Sequence, residues 1–103
     1  MAEFKRVANV ADIPEGQMRG FEVGFDKVAV CHTSEGFFAI TDECSHDAAP
    51  ISSGSVAGNE VVCPRHGARF DLKTGDVTAP PAVVGIDTLE LKIENDEIFV
   101  KVD

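Results

Sequence analysis

The chain of 103 residues reads as all-β: an antiparallel β-sandwich or barrel scaffold with a loop-rich sub-domain inserted between its strands. Three observations lead there. Apolar–polar alternation of period two recurs near both ends, while helical periodicity is nearly absent. Turn residues punctuate it about every 6 to 12 positions, the spacing of small antiparallel folds. Between about residues 42 and 75 that rhythm breaks, and Pro50, Gly54, Gly58, Pro64, Gly67 and Gly75 crowd together. The length suits one domain over 1–103, with a modest core.

Taken in order, Phe4 to Val7 opens the scaffold as a strand, and Asp12-Ile13-Pro14-Glu15-Gly16 turns it. Met18 to Val23 and Lys27 to His32 form a hairpin around Gly24-Phe25-Asp26. Ser34-Glu35-Gly36 turns the chain into a strand from Phe37 to Thr41. At the far end Leu89 to Ile93 alternates as one strand, Glu94-Asn95-Asp96 turns, and Ile98 to Val102 returns.

Composition narrows the function. Eighteen acidic against nine basic residues give a net charge of −9. That argues against nucleic acid, whose phosphates demand clustered Lys and Arg. The acidity suits transient docking on basic faces of other proteins, or solubility alone. No apolar run approaches the roughly 20 residues of a membrane span. The start lacks the layout of a secretory signal. Three cysteines do not make a disulfide framework, and two stand beside histidines at metal-ligand spacing. A cytoplasmic protein without a membrane partner is the expectation.

The chemistry concentrates in Cys44-Ser45-His46 and, after sixteen intervening positions, Cys63-Pro64-Arg65-His66. Thiolate and imidazole select zinc, iron or an iron–sulfur cluster. Four such groups in two short clusters point to one centre gripped by two loops. Spacing alone leaves a zinc-stabilised interaction module open. Zinc ribbons and fingers, however, usually pair Cys with Cys and His with His. Here each box contributes one of each. Cys31-His32 lies away from the boxes on a strand and reads as a packed thiol beside an exposed histidine.

The context of the boxes resembles the Rieske family. Cys44-Ser45-His46 is followed by Pro50-Ile51-Ser52-Ser53-Gly54, then by Cys63-Pro64-Arg65-His66-Gly67-Ala68-Arg69-Phe70-Asp71, with Thr74-Gly75 and Pro80-Pro81 behind. The resemblance implies one [2Fe–2S] cluster, with Cys44 and Cys63 on one iron and His46 and His66 on the other. Two thiolates leave the oxidised centre without net charge, where four would leave it twice negative. An incoming electron therefore meets less repulsion. Pro64 and Gly67 are expected to shape a tight turn near the sulfurs. Asp71 is expected to anchor the sub-domain to the scaffold. Arg65 and Arg69 read either as docking charges or as solvated loop residues.

Departures from the family pattern narrow the expectation. High-potential members carry an extra cysteine in each loop, forming a disulfide; Ala49 and Arg65 stand there instead. They also carry Ser and Tyr hydroxyls that donate to sulfur, at the positions of Ala68 and Phe70. Without those donors the reduced state is less stabilised, so a potential near the low end of the Rieske range, about −150 mV, is expected. A Rieske oxygenase needs a second iron held by two histidines and a carboxylate. With three histidines in the chain, only His32 is left for it. There is also no G-x-G-x-x-G dinucleotide fingerprint. The resemblance thus implies a non-enzymatic, monomeric ferredoxin, like those of bacterial aromatic-ring-hydroxylating dioxygenases. It would take electrons from a flavin-dependent NAD(P)H ferredoxin reductase and pass them to the terminal oxygenase. A small Rieske-like subunit of an assimilatory nitrite reductase is the alternative within the same family.

Overall fold

The computed structural model describes residues 3–45, 50–64 and 67–102. These fold into eleven strands: β1 (Glu3–Asn9), β2 (Met18–Val23), β3 (Asp26–Thr33), β4 (Gly36–Thr41), β5 (Ser55–Ala57), β6 (Glu60–Val62), β7 (Arg69–Asp71), β8 (Val77–Ala79), β9 (Thr88–Leu89), β10 (Leu91–Glu94) and β11 (Glu97–Val102). Among the described residues there is no α-helix, only short 3-10 turns at Val10–Asp12 and Ile51–Ser53. None of it is a helix long and apolar enough to cross a membrane. Three antiparallel sheets result, ordered β1-β11-β10, β2-β3-β4-β9 and β5-β6-β7-β8.

The all-β expectation holds, and β3 shows how the sheets combine. Residues 28–31 are all buried, because side chains of a strand alternate between faces and both faces here are covered. Val28 and Val30 join Ala39, Ile98, Val100 and Val102 in the scaffold core. Ala29 and Cys31 join Ile40 in a second core with Cys44, Ile51, Val61, Cys63, Phe70 and Leu72. The middle sheet is therefore shared between scaffold and loop region. Burying Phe70 or Ile40, each fully enclosed, stabilises the assembly by roughly 1.5–3 kcal/mol.

The terminal hairpin behaves as its alternation requires. On β11, Ile98, Val100 and Val102 face inward, while Glu97, Phe99 and Lys101 are half-buried. Asn95 and Asp96 take positive φ angles of 52° and 63°, the pair a tight two-residue hairpin turn needs. β1 closes the other side, pairing Glu3 with Val102 through Asn9 with Glu97, with an irregularity between Arg6 and Ala8. Nothing local in the sequence announces that partner.

Two sequence expectations change. The single strand expected over Leu89 to Ile93 is divided at Glu90. Leu89 pairs with Ala39 in the middle sheet, and Leu91 pairs with Val100 in the first. One alternation thus serves two sheets, and Lys101 N–H donates to the Glu90 carbonyl (2.9 Å) at the crossing. The stretch read as loop-rich also contains strands, as three-residue β5, β6 and β7 continue into β8. Segments this short carry almost no periodicity.

Gly54 follows the second 3-10 turn, where a Cβ would lie 1.9 Å from the Val62 carbonyl oxygen and 3.2 Å from that of Ile51. Backbone, unlike a flexible side chain, cannot swing aside. Gly54→Ala is expected to destabilise the protein by at least about 1–3 kcal/mol, read as a lowered urea midpoint. An unchanged midpoint would show that β6 shifts freely.

Candidate metal centre

Cys44 emerges just beyond β4, whose end is fixed by two backbone bonds: Thr41 N–H to the Asp87 carbonyl (3.0 Å) and Asp42 N–H to that of Lys27 (2.9 Å). Cys63 directly follows β6. Its N–H donates to the Ala68 carbonyl (2.7 Å), and its own carbonyl accepts from Gly67 N–H (3.2 Å). Cys63 is thereby bonded to Gly67 and Ala68 across the foot of its box. Gly67 sits at φ 76°, a conformation that side chains with a Cβ rarely adopt. This is the turn expected of Pro64 and Gly67. Both cysteines are 1% exposed, belong to one core cluster and form no disulfide. His46, Ala49, Arg65 and His66 lie outside the described residues.

A third loop, between β8 and β9, adjoins the first. It opens with the cis Pro80–Pro81 bond. It is held by Ile86 N–H donating to the Gly75 carbonyl (2.8 Å) and by the buried side chain of Ala82. The Ser45 hydroxyl donates to the Val84 carbonyl, tying the Cys44 loop to it. Val83 and Val84 themselves point outward, 90% and 64% exposed. Two apolar neighbours thus stand in water beside the Cys44 loop.

The donor chemistry fits a soft-metal centre. Two buried, unbridged cysteines at the feet of two loops, each with a histidine two or three positions on, form a mixed sulfur–nitrogen set suited to iron–sulfur chemistry. Ala68 and Phe70 are fully enclosed, so apolar packing fills both positions and neither supplies a hydroxyl.

Other sequence readings are resolved residue by residue. Asp71 does not anchor the sub-domain to the scaffold. Its Oδ1 accepts from Lys73 N–H (2.7 Å) and Thr74 N–H (3.3 Å), so it organises its own turn, as a short carboxylate does. Glu35, at the β3–β4 turn, makes the link instead, accepting from the Lys73 ammonium and the Asn59 amide. These bonds, Lys73 first, hold the Glu35 carboxyl below its ordinary value, and Glu35 raises Lys73. Arg69 pairs with Glu60 on the neighbouring strand (3.3 Å), an exposed bridge of little energetic weight.

Cys31 is the packed thiol expected, but His32 is half-buried rather than exposed. Its Nδ1–H donates to the Ile13 carbonyl (2.8 Å). Its ring stacks on Phe37 at 3.9 Å between centroids, because the β3–β4 register sets the two residues opposite each other. Sequence reasoning passed over Asp42 and Ser52. Asp42 is buried and accepts from both the N–H (2.7 Å) and the hydroxyl (2.6 Å) of Ser52. The one available signal was an acidic residue two positions before the cysteine of a Cys–His box.

Compared with known families, residues 3–90 match the Rieske [2Fe-2S] domain. The chain belongs to the Rieske family, whose domain carries a [2Fe–2S] cluster. Over 92 residues it is 36% identical to the ferredoxin component of the naphthalene 1,2-dioxygenase/salicylate 5-hydroxylase systems of Ralstonia sp., covering 89% of this chain and 88% of that protein. Over 95 residues it is 35% identical to apoptosis-inducing factor 3 of Homo sapiens; that match covers 92% of this chain but spans only 16% of the relative's length. Among solved structures, the ferredoxin of carbazole 1,9a-dioxygenase from Nocardioides aromaticivorans IC177 superposes with a TM-score of 0.89. It is 32% identical, with 94% of this chain and 95% of that one covered. A chain from a complex of reduced oxygenase and oxidized ferredoxin in carbazole 1,9a-dioxygenase gives a TM-score of 0.87 at 30% identity, covering 94% and 91%.

Burial, with the Asp42 carboxylate adding to it, pushes the Cys31 thiol from its ordinary 9.0 up to about 12. The folded protein therefore keeps this proton while the unfolded chain releases it above about pH 9. Cys31 contributes its full stability below pH 9 and loses it progressively between about 9 and 12. Urea midpoints measured across that window should fall more steeply for the wild type than for Cys31→Ala, the difference being on the order of 1 kcal/mol per pH unit. Parallel curves would show that the thiol ionises freely in the fold.

Proposed function

We propose that the chain is a one-electron carrier whose [2Fe–2S] cluster is held by Cys44 and Cys63 on one iron and by His46 and His66 on the other. In this reading a flavin-dependent NAD(P)H reductase supplies the electron and a terminal aromatic-ring-hydroxylating oxygenase receives it. The observation that carries it is the match, over most of both chains, to a dioxygenase ferredoxin component. The similarity to a chain from an oxygenase–ferredoxin complex supports the choice of recipient. When bound, the cluster supplies a single reversible electron step.

The chain's own residues serve that role by holding and shielding. The buried feet at Cys44 and Cys63 keep water from the thiolates. Ala68 and Phe70 offer no hydroxyl to stabilise extra negative charge, which supports a potential near the low end of the Rieske range, about −150 mV. Ser45 steadies the loop that carries Val83 and Val84, an apolar knuckle on which an electron partner can rest. We place the carrier in the cytoplasm as a monomer.

The purified protein should be red-brown. Reduced with dithionite, it should give a paramagnetic resonance signal whose average g value lies below that of all-cysteine clusters. NADH plus a flavin-dependent ferredoxin reductase should bleach its visible absorption, and once the NADH is removed, an excess of oxidised oxygenase should take the electron and restore the oxidised spectrum of the carrier. Cys44→Ala and Cys63→Ala should each abolish the colour while leaving the far-ultraviolet β signature of the scaffold. A colourless zinc protein would defeat the cluster assignment. A coloured protein that several such reductases leave oxidised would defeat the carrier role.

A further inference from the structure

We propose that Asp42 is a positioning residue for the cluster: with Ser52, and with Gly20 close against both, it clamps the neck of the loop that carries Cys44 and His46. The inference rests on the reading of those two residues as ligands. The loop leaves β4 at Asp42 and enters the 3-10 turn of Ile51–Ser53 at its other end, and Asp42 and Ser52 meet across its base. Oδ1 of Asp42 accepts the Ser52 N–H at 2.7 Å, and Oδ2 accepts the Ser52 hydroxyl at 2.6 Å. Both oxygens of one carboxylate are thus committed to one residue ten positions away. The near end is fixed separately, since Asp42 N–H donates to the Lys27 carbonyl on β3 (2.9 Å). The far end is pegged by Ile51, which is fully buried in the core shared with Cys44 and Cys63.

Burial makes this clamp strong. Asp42 is only 9% exposed, and a carboxylate that has left water holds tightly to the donors that replace it. Gly20 on β2 lies close against the pair. A Cβ there would lie 2.6 Å from both Asp42 Oδ2 and Ser52 Oγ, so only glycine lets the strand run this close. Cys44 is two residues from the clamped carboxylate, so the path of the chain at the thiol follows the position of Asp42. None of Gly20, Asp42 and Ser52 belongs to the scaffold core around Val28, Val30 and Val100. Opening the neck should therefore loosen the ligand loop without unfolding the strands beneath it.

The test uses the purified, cluster-loaded protein. The rate of iron release to an excess of a ferrous chelator is followed together with the paramagnetic resonance spectrum after dithionite reduction. Asp42→Ala is expected to release iron about 10- to 100-fold faster than wild type, with shifted or broadened g values and an unchanged far-ultraviolet spectrum. Gly20→Ala should move both readouts in the same direction by displacing the pair. Asp42→Asn keeps an oxygen for the Ser52 N–H and should recover most of the wild-type behaviour. Ser52→Ala, which loses one of the two bonds, should fall between. Release from Asp42→Ala within about twofold of wild type overturns the proposal, as does Asp42→Asn behaving no better than Asp42→Ala. Should Asp42→Ala not fold, Ser52→Ala decides, and a wild-type rate in it overturns the proposal. Failure of the ligand reading itself appears elsewhere, as a wild-type protein with no Rieske signal.

Discussion

The middle sheet must be covered on both faces, and the rest of the molecule follows from that. β3 runs Val28-Ala29-Val30-Cys31 without an exposed position, so its alternate side chains need two cores rather than one. The terminal hairpin and β1 supply the first through Ile98, Val100 and Val102. The region of the two Cys–His boxes supplies the second through Ile51, Val61, Phe70 and Leu72. The two loops that carry the Cys–His boxes are thus part of what completes the fold, and their feet inherit the rigidity of a packed interior.

This arrangement explains the division of labour around the two cysteines. Backbone bonds at β4 and β6, and the short loop closed between Cys63 and Ala68, place both sulfurs inside the core. The outer parts of the loops are steadied by a few polar contacts instead: Asp42 with Ser52, Ser45 with Val84, and Glu35 with Lys73 and Asn59. The first is partly buried at the neck of the loop that carries Cys44, and the last is exposed to water. Equal counts of hydrogen bonds do not mean equal energies, because the largely buried carboxylate has little solvent to fall back on.

Much of the scaffold could be read locally. The alternation of Ile98 to Val102, the turn at Asn95-Asp96 and the hairpin around Gly24 each depend on neighbours within a few residues, and each appears where the pattern places it. Local pattern failed where one stretch served two partners. Leu89 and Leu91 alternate perfectly, yet they pair with Ala39 and Val100 in different sheets. It failed also for β5 to β8, which at three residues each are too short to show a period. Asp71 misled because a carboxylate after an aromatic residue says nothing of which donors are near; its own turn offered two.

By itself the sequence determined the all-β class, the two Cys–His boxes and the family they belong to. These depend on residue type, spacing and local alternation, which survive without coordinates. Only the tertiary structure decided that both cysteines are buried in the core shared with the middle sheet. It alone set His32 against Ile13 and Phe37, passed the link to the scaffold from Asp71 to Glu35, and brought Gly20, Asp42 and Ser52 together at one point. Those facts depend on contacts between residues distant in the chain. Whether a carboxylate is solvated or committed to two donors of one distant residue is a property of the packed surroundings, which no single stretch of sequence contains.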